Sequence, residues 1–260
     1  MSTTAPRILV CNDDGIGSPG LALLASAAEG LSDDVWIVAP SRKWTAASHQ
    51  LTYDRDIALV EDGPRRYVCD GAPADCVVGA MTLLQDGAPF GLVLAGINDR
   101  HNVGEDSAYS GTMAIAREAT FWGVPAIAVS RSARWTDTPA EIAALRRLLS
   151  AAWATRSEWA ADGHWVALNL PPRVPAALRG ARLAEDKIAS AVDVVERTPG
   201  RWVYRLRRGR PGTVTAGDEN DVLRVGHVAV TRHGARHVAA IDEDWLARMA
   251  SALADDEPVG

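Results

Sequence analysis

The junction between Arg7-Ile8-Leu9-Val10-Cys11 and Asn12-Asp13-Asp14-Gly15 constrains this chain more than any other feature. A short continuous apolar run that stops at a glycine-containing turn is the pattern of a parallel strand buried on both faces. Helical spacing follows: Leu21, Leu24, Ala25, Ala28 and Leu31 recur after Pro19-Gly20, and Val35-Trp36-Ile37-Val38 then makes a second strand before Pro40. The β-α-β pattern returns where Leu92-Val93-Leu94-Ala95 and Ala126-Ile127-Ala128-Val129 flank a helical stretch from about Thr112 to Trp122. This alternation predicts an α/β fold with a doubly wound sheet.

Thr138, Pro139 and Glu141 supply an N-cap, a first-turn proline and a capping-box acid for a long helix that continues to about Trp159. Trp165-Val166-Ala167-Leu168 adds a strand. After Pro171-Pro172 the texture changes, with strand-like Arg201 to Leu206 and Val228-Ala229-Val230 separated by Gly, Pro and charged residues. The expected organisation is a core at 1–172 followed by 173–260, where a β-rich extension over roughly 173–235 precedes a closing helix from Asp242 to Leu253. Both parts belong to one body.

A chain of 260 residues, 47% of them hydrophobic, can bury a full core. Its formal charge of −6, with acids and bases interspersed, provides no basic field to gather a polynucleotide backbone. Long nucleic acids are therefore excluded as expected partners. No run approaches the roughly 18 apolar residues of a membrane span, and Met1 to Arg7 is too short and polar for a secretory signal, so a cytoplasmic, membrane-free protein is expected. Cys11, Cys69 and Cys76 are odd in number and lack close pairing, which suits small buried apolar residues. His233 and His237 have the i, i+4 spacing of helical metal ligands, but Gly234 argues against a helix there.

Three segments carry polar chemistry to the carboxyl ends of predicted strands, where open α/β sheets form their ligand crevice. In Asn12-Asp13-Asp14-Gly15, adjacent carboxylates repel each other, and a hard divalent cation would offset that repulsion. The same four residue types also favour a simple turn. Gly96-Ile97-Asn98 through Asn102, Gly104 and Asp106 to Tyr109-Ser110-Gly111-Thr112 precedes a helix, whose free N–H groups and the Ser110 and Thr112 hydroxyls can cradle phosphate. Ser-Gly-Thr alone is better read as an ordinary N-cap, although a cap needs neither Asn98 nor Asn102. In Ala39-Pro40-Ser41-Arg42-Lys43-Trp44-Thr45-Ala46-Ala47-Ser48-His49, Thr45 can offer a neutral oxygen to a metal and Arg42 or Lys43 can meet a phosphate. Read by itself, that segment is a polar surface loop.

Together these segments are closely similar to the SurE survival-protein family of metal-dependent 5′/3′-nucleotidases, also described as acid phosphatases. The resemblance rests on Ile8-Leu9-Val10, Asn12 to Ile16, Pro19-Gly20, Val38-Ala39-Pro40, Gly71 with Pro73 to Val77, Gly96-Ile97-Asn98, Asn102-Val103-Gly104, Asp106 and Tyr109 to Thr112. Asn169-Leu170-Pro171 and Gly226-His227-Val228 through Thr231 continue it in order, so it spans nearly the whole chain. It implies a three-layer, Rossmann-like sheet with a β-hairpin extension and a C-terminal segment that make homodimers or homotetramers. It further implies that Asp13, Asp14 and Asn98 bind a divalent metal (Mg, Mn or Ca), with Thr45 where the family usually has a metal-binding serine. Ser110, Gly111 and Thr112 would cradle phosphate. Family substrates are nucleoside monophosphates and other small phosphomonoesters, sometimes short polyphosphate.

The chain departs from the family pattern at Arg100, which replaces a glycine and adds charge beside the expected phosphate site, and at Ser41, Trp44-Thr45 and Ala72. The expected mechanism has a metal on Asp13, Asp14, Asn98 and Thr45 polarising the phosphoryl group and activating water. Ser110 and Asn102 would stabilise charge on its oxygens, and His49 is a candidate proton donor to the leaving alcohol. Rival readings are a phosphoaspartyl enzyme, disfavoured because Asp13 and Asp14 are adjacent; a phosphatase specialised for another small metabolite, motivated by Arg100 and Trp44; and a metal- or nucleotide-binding module without turnover.

Overall fold

The computed structural model describes residues 5–85, 87–132, 138–185, 189–207, 212–236, 242–246 and 249. In chain order these form β1 (Ile8–Cys11), α1 (Pro19–Ala28), β2 (Val35–Pro40), β3 (Leu59–Glu61), β4 (Arg66–Cys69), α2 (Pro73–Leu83) and β5 (Leu92–Asn98). The order continues with α3 (Asp106–Tyr109), α4 (Gly111–Phe121), β6 (Ala126–Arg131), α5 (Pro139–Ala154), α6 (Arg156–Trp159), β7 (His164–Leu170) and β8 (Leu178–Gly180). It closes with β9 (Val192–Thr198), β10 (Arg201–Leu206), α7 (Glu219–Arg224) and β11 (Val228–Gly234).

The main sheet has the order β3-β4-β2-β1-β5-β6-β7-β11-β8, and every neighbouring pair from β4 to β7 is parallel. This is the doubly wound arrangement, and its order reverses between β1 and β5, where such sheets hold their ligands. The alternating side chains of β1 fill both faces. Leu9 and Cys11 join the α2 and α4 residues Val77, Met81, Met113 and Ile115 on one side, whereas Ile8 and Val10 join Leu21, Leu24, Leu145 and Leu149 of α1 and α5 on the other. Two apolar layers of helices thus enclose a sheet whose central strand, β5, is buried throughout.

The predicted strands at 7–11, 35–38, 92–95, 126–129 and 165–168 are present as β1, β2, β5, β6 and β7. Four features differ from the sequence expectation. β3, β4 and α2 occupy a stretch for which no element was expected. The main sheet continues past residue 172, because β11 pairs antiparallel with β7 and parallel with β8, leaving the β9–β10 hairpin as a separate two-stranded sheet. The helix expected over 138–159 breaks at Thr155 into α5 and α6. Thr138 does cap α5, accepting the Glu141 N–H at 3.3 Å, but the Glu141 side chain pairs with Arg131 instead of returning to the cap. Arg131 is 2% exposed, and its buried charge takes the carboxylate.

Cys11, Cys69 and Cys76 are buried free thiols. Of the expected closing helix, residues 243–246 are helical and most of the remainder, like His237, lies outside the described residues. Among the described residues no helix is long and apolar enough to cross a membrane.

Candidate active site

Asn12-Asp13-Asp14-Gly15 is both a turn and a crevice residue pair. Asn12 shapes the turn: its amide nitrogen donates to Gly15 C=O (3.0 Å) and Ser18 Oγ (2.7 Å), and its amide oxygen accepts the Gly15 N–H (3.2 Å). Gly15 takes φ +99°, which a side chain would resist. Ser18 in turn caps α1. The turn residues that frame the motif therefore satisfy one another, and the two carboxylates are left to face other segments.

They face both of the other segments singled out from the sequence. Asp13 Oδ1 accepts the Thr112 hydroxyl at 2.5 Å, and Asp14 Oδ2 accepts the Asp99 N–H at 3.1 Å. The loop after β2 reaches in through the Trp44 N–H, which donates to Asp13 C=O at 2.8 Å, and through the Lys43 ammonium, which pairs with Asp14 and with Asp99 (2.7 Å). The Ser48 N–H and hydroxyl tie the same loop to Tyr109 C=O (2.8 Å) and Ala108 C=O (2.7 Å). Gly111 opens α4 against Asp13 so closely that a Cβ there would lie 2.7 Å from Asp13 Cβ.

Burial dominates the electrostatics. It pushes the Asp13 carboxyl up to about 6, with the Asp14 charge adding and the Thr112 hydrogen bond opposing. Burial alone would depress Lys43, but Asp14 and Asp99 raise it instead. Two neighbouring carboxylates, one of them buried and raised further by the other's charge, favour a cation that offsets both, and the Lys43 ammonium takes that place on Asp14 here. Asn98 ends β5 and is 9% exposed; its amide nitrogen donates to Arg100 C=O at 2.8 Å, so its amide oxygen is the end that can meet a cation.

Asp13, Asp14 and Asn98 fit a hard divalent ion of the magnesium, manganese or calcium type, which takes one or two carboxylates and neutral oxygens, with water or substrate oxygens completing the shell. They do not form a closed cage: among the described residues no group of three or more His, Cys, Asp or Glu side chains could hold a metal. Thr45 follows the tethered Trp44 directly in sequence, and its side chain is exposed.

Several expected phosphate groups have other occupations. The Ser110 hydroxyl caps α4, accepting the Met113 N–H at 3.1 Å, and the Thr112 hydroxyl is given to Asp13. The Asn102 amide nitrogen donates to Ser130 Oγ at 2.8 Å. At this end of α4, the groups suited to an anion are the first-turn backbone N–H groups, with Gly111 itself buried against Asp13. His49 is directed elsewhere: its Nε2 meets Glu118 Oε2 at 2.8 Å and its ring stacks on Phe121. Glu118 lies seven residues beyond Gly111, about 10 Å along the helix axis.

Asp14 opens onto a cavity of about 840 Å³ bordered by Ser18 to Gly20 at the start of α1, by Arg42 and Lys43, and by Arg100. Asp99 and Ser132 also line it and were not anticipated from the sequence. Asp99 carried one available signal, its position directly after a strand-end asparagine.

The fold and site define a doubly wound α/β protein with an acidic, oxygen-donor crevice at the switch point of its sheet. The chain belongs to the SurE family: the family model described as Survival protein SurE matches residues 8–191. It is 36% identical over 240 residues to the 5′-nucleotidase SurE of Brucella suis, covering 86% of this chain and 91% of that protein. It is likewise 36% identical over 241 residues to the 5′-nucleotidase SurE of Paramagnetospirillum magneticum, covering 86% and 88%. The crystal structure of the SurE protein from Aquifex aeolicus superposes with a TM-score of 0.74 at 24% identity, over 96% of this chain and 100% of that one, and so shares the fold.

Proposed function

We propose that this chain is a metal-dependent phosphomonoester hydrolase, a 5′/3′-nucleotidase that releases phosphate from nucleoside monophosphates. One observation carries the reading: the Asp13 carboxylate lies within hydrogen-bond reach of the first turn of α4, with Asp14 beside it. A helix N-terminus attracts a phosphate, whereas two carboxylates repel one. A divalent cation between acid pair and phosphate reconciles the two. The relatives named 5′-nucleotidase support the same reading.

In this reading Asp13, Asp14 and Asn98 hold the ion, with Thr45 a further oxygen. The bound ion would supply Lewis-acid polarisation of the phosphoryl group and a water of lowered pKa. Gly111 lets the start of α4, whose backbone N–H groups would receive the phosphate, approach Asp13 closely. Thr112 orients Asp13, and Arg100 places positive charge along the cavity that receives the remainder of the substrate.

Release of phosphate from AMP and p-nitrophenyl phosphate, measured with Mg or Mn and with EDTA, tests the proposal. Metal-dependent turnover abolished by Asp13→Asn is expected; metal binding without turnover would favour a binding module, and turnover unaffected by EDTA would overturn the metal role. A second reading, specialisation for another small phosphorylated metabolite, is favoured by Arg100 in the cavity wall and by the Arg42 guanidinium stacked 4.2 Å over the Trp44 ring. Across a phosphomonoester panel, an unchanged substrate ranking in Arg100→Gly would remove that role from Arg100.

The β9–β10 hairpin exposes Val194, Val195, Trp202, Tyr204 and Leu206, all more than half accessible. Such a display on a two-stranded ribbon suits burial against another copy, and a homodimer or homotetramer is proposed. Light scattering after size exclusion reads the assembly directly.

A further inference from the structure

Glu219 lies beyond the 8–191 stretch matched by the family model, yet it reaches into the loop that joins the two arms of the site. It is the first residue of α7 and fully buried. Its Oε2 accepts the backbone N–H groups of Gly104 (2.8 Å) and Ala184 (3.2 Å), and its Oε1 accepts from the Asn169 amide nitrogen (3.4 Å). Asn169, on β7, clamps the backbone of Asn102 from both sides: its amide oxygen accepts the Asn102 N–H (2.9 Å) and its amide nitrogen donates to Asn102 C=O (2.9 Å). The Asn102 side chain is then fixed on Ser130.

Asn102 and Gly104 stand between Asn98, at the end of β5, and Ser110-Gly111-Thr112, at the start of α4. A carboxylate taken wholly out of water is costly unless its oxygens are satisfied, and here one of its donors, the Gly104 N–H, belongs to this connection, while another, the Asn169 amide, holds the connection in turn. Asp218 anchors α7 itself, accepting the Thr215 N–H (2.7 Å) and the Asp221 N–H (2.8 Å). The carboxylate is thus fixed from behind and acts on the loop in front.

We propose that Glu219 is a positioning residue for the active site: through Gly104 directly and Asn102 by way of Asn169, it sets the separation between the metal arm at Asn98 and the phosphate arm at α4. The metal and phosphate roles rest on the function proposed above; the holding of the loop does not. The C-terminal part of the chain then contributes to the site in cis, beyond any part in assembly.

Glu219→Gln discriminates well because of its chemistry. A glutamine can keep its oxygen on Gly104 and Ala184, but its NH2 then faces the Asn169 NH2, donor against donor. Turning Asn169 over to relieve this sets its oxygen against Asn102 C=O. The substitution therefore loosens the clamp while leaving α7 attached.

The test uses the full chain with two readings, amide hydrogen exchange of residues 98–110 without metal and calorimetric affinity for Mn²⁺. For Glu219→Gln, faster exchange at Asn102 and Gly104 and Mn²⁺ binding weaker by about 10-fold or more are expected, the scale seen when support to metal ligands is lost. Glu219→Asp, which keeps the charge but falls one methylene short, should lie between, and it decides the matter by the same readings if Glu219→Gln does not fold. Exchange and Mn²⁺ affinity indistinguishable from wild type, even with a lowered Tm, would overturn the proposal. Should the wild-type chain itself bind no Mn²⁺, the metal reading fails, and the exchange measurement still decides whether Glu219 holds the loop.

Discussion

Thr112 donates its hydroxyl to Asp13 Oδ1 at 2.5 Å, joining the end of the first strand to the first turn of α4 across 99 residues of sequence. The bond opposes the burial that raises the Asp13 pKa, so it favours the ionised carboxylate that a cation requires. Thr112→Val keeps the shape and removes the bond. Hydrolysis at neutral pH should fall by about 10-fold or more in kcat/KM, corresponding to about 1.5–3 kcal/mol for a hydrogen bond to a charged group. Thr112→Ser should retain most of the rate. Equal rates for Val and Ser would show that the hydroxyl is not used.

Gly111 is required for space. Its added Cβ would lie 2.7 Å from Asp13 Cβ, 2.9 Å from Asp13 Oδ2 and 3.0 Å from Pro73 Cγ, and none of these belongs to the end of a long flexible side chain. In Gly111→Ala either Asp13 or the helix start must shift. A displacement near 1 Å at reacting groups costs about 100-fold in rate, whereas an overpacked methyl costs about 1–3 kcal/mol of stability. A large loss of turnover with a modest fall in Tm is therefore expected from kinetics and melting together.

His49 should matter for stability and little for chemistry. Its ring is held by Glu118 and Phe121, and Glu118 is itself 8% exposed, with Trp122 Nε1 donating to its other oxygen at 2.9 Å. His49→Ala leaves a buried carboxylate short of a partner, at about 1–3 kcal/mol. A lower Tm with turnover largely retained is the expected pair of results. A collapse of kcat without a change in Tm would return His49 to the role of proton donor.

What the sequence disclosed follows from where its signals are local. β1, β2, β5, β6 and β7 are covered on both sides, so each is written as an unbroken apolar run. Strand-end position then pointed to Asp13, Asp14 and Asn98, and the crevice does bring the first pair against the two other loops. β4 was missed because Arg66-Tyr67-Val68-Cys69 is short and only its last residue is buried. α2 is preceded by Ala72 at its N-cap, whose methyl cannot cap it; Asp75, three residues on, accepts the Ala72 N–H at 2.7 Å instead. Side-chain partners were the least legible part. Nothing near His49 announces Glu118, 69 positions away, and nothing near Asn102 announces Asn169 and Ser130. The Glu219 contribution, 115 residues from Gly104, is likewise created only by the return of α7 onto the main sheet.

His233, whose spacing to His237 first suggested a metal pair, instead packs its ring on Trp165 with centroids 4.3 Å apart and places Nε2 2.8 Å from Thr231 Oγ1. Burial pushes its pKa down to about 4, and the nearby Arg117 charge pushes in the same direction. In the unfolded chain the imidazole titrates near 6.5. Between these values the unfolded state binds the extra proton, so this residue contributes nothing to pH dependence above about 6.5 and progressively destabilises the fold as pH falls from there toward about 4. At about 1.4 kcal/mol per pKa unit, the full effect is at most about 3.5 kcal/mol. His233→Phe preserves the stacking on Trp165 and removes the titration. Urea melts at pH 7 and pH 5 should therefore show a smaller loss of stability for the variant than for the wild type. Parallel losses would place the acid sensitivity in the carboxylates alone.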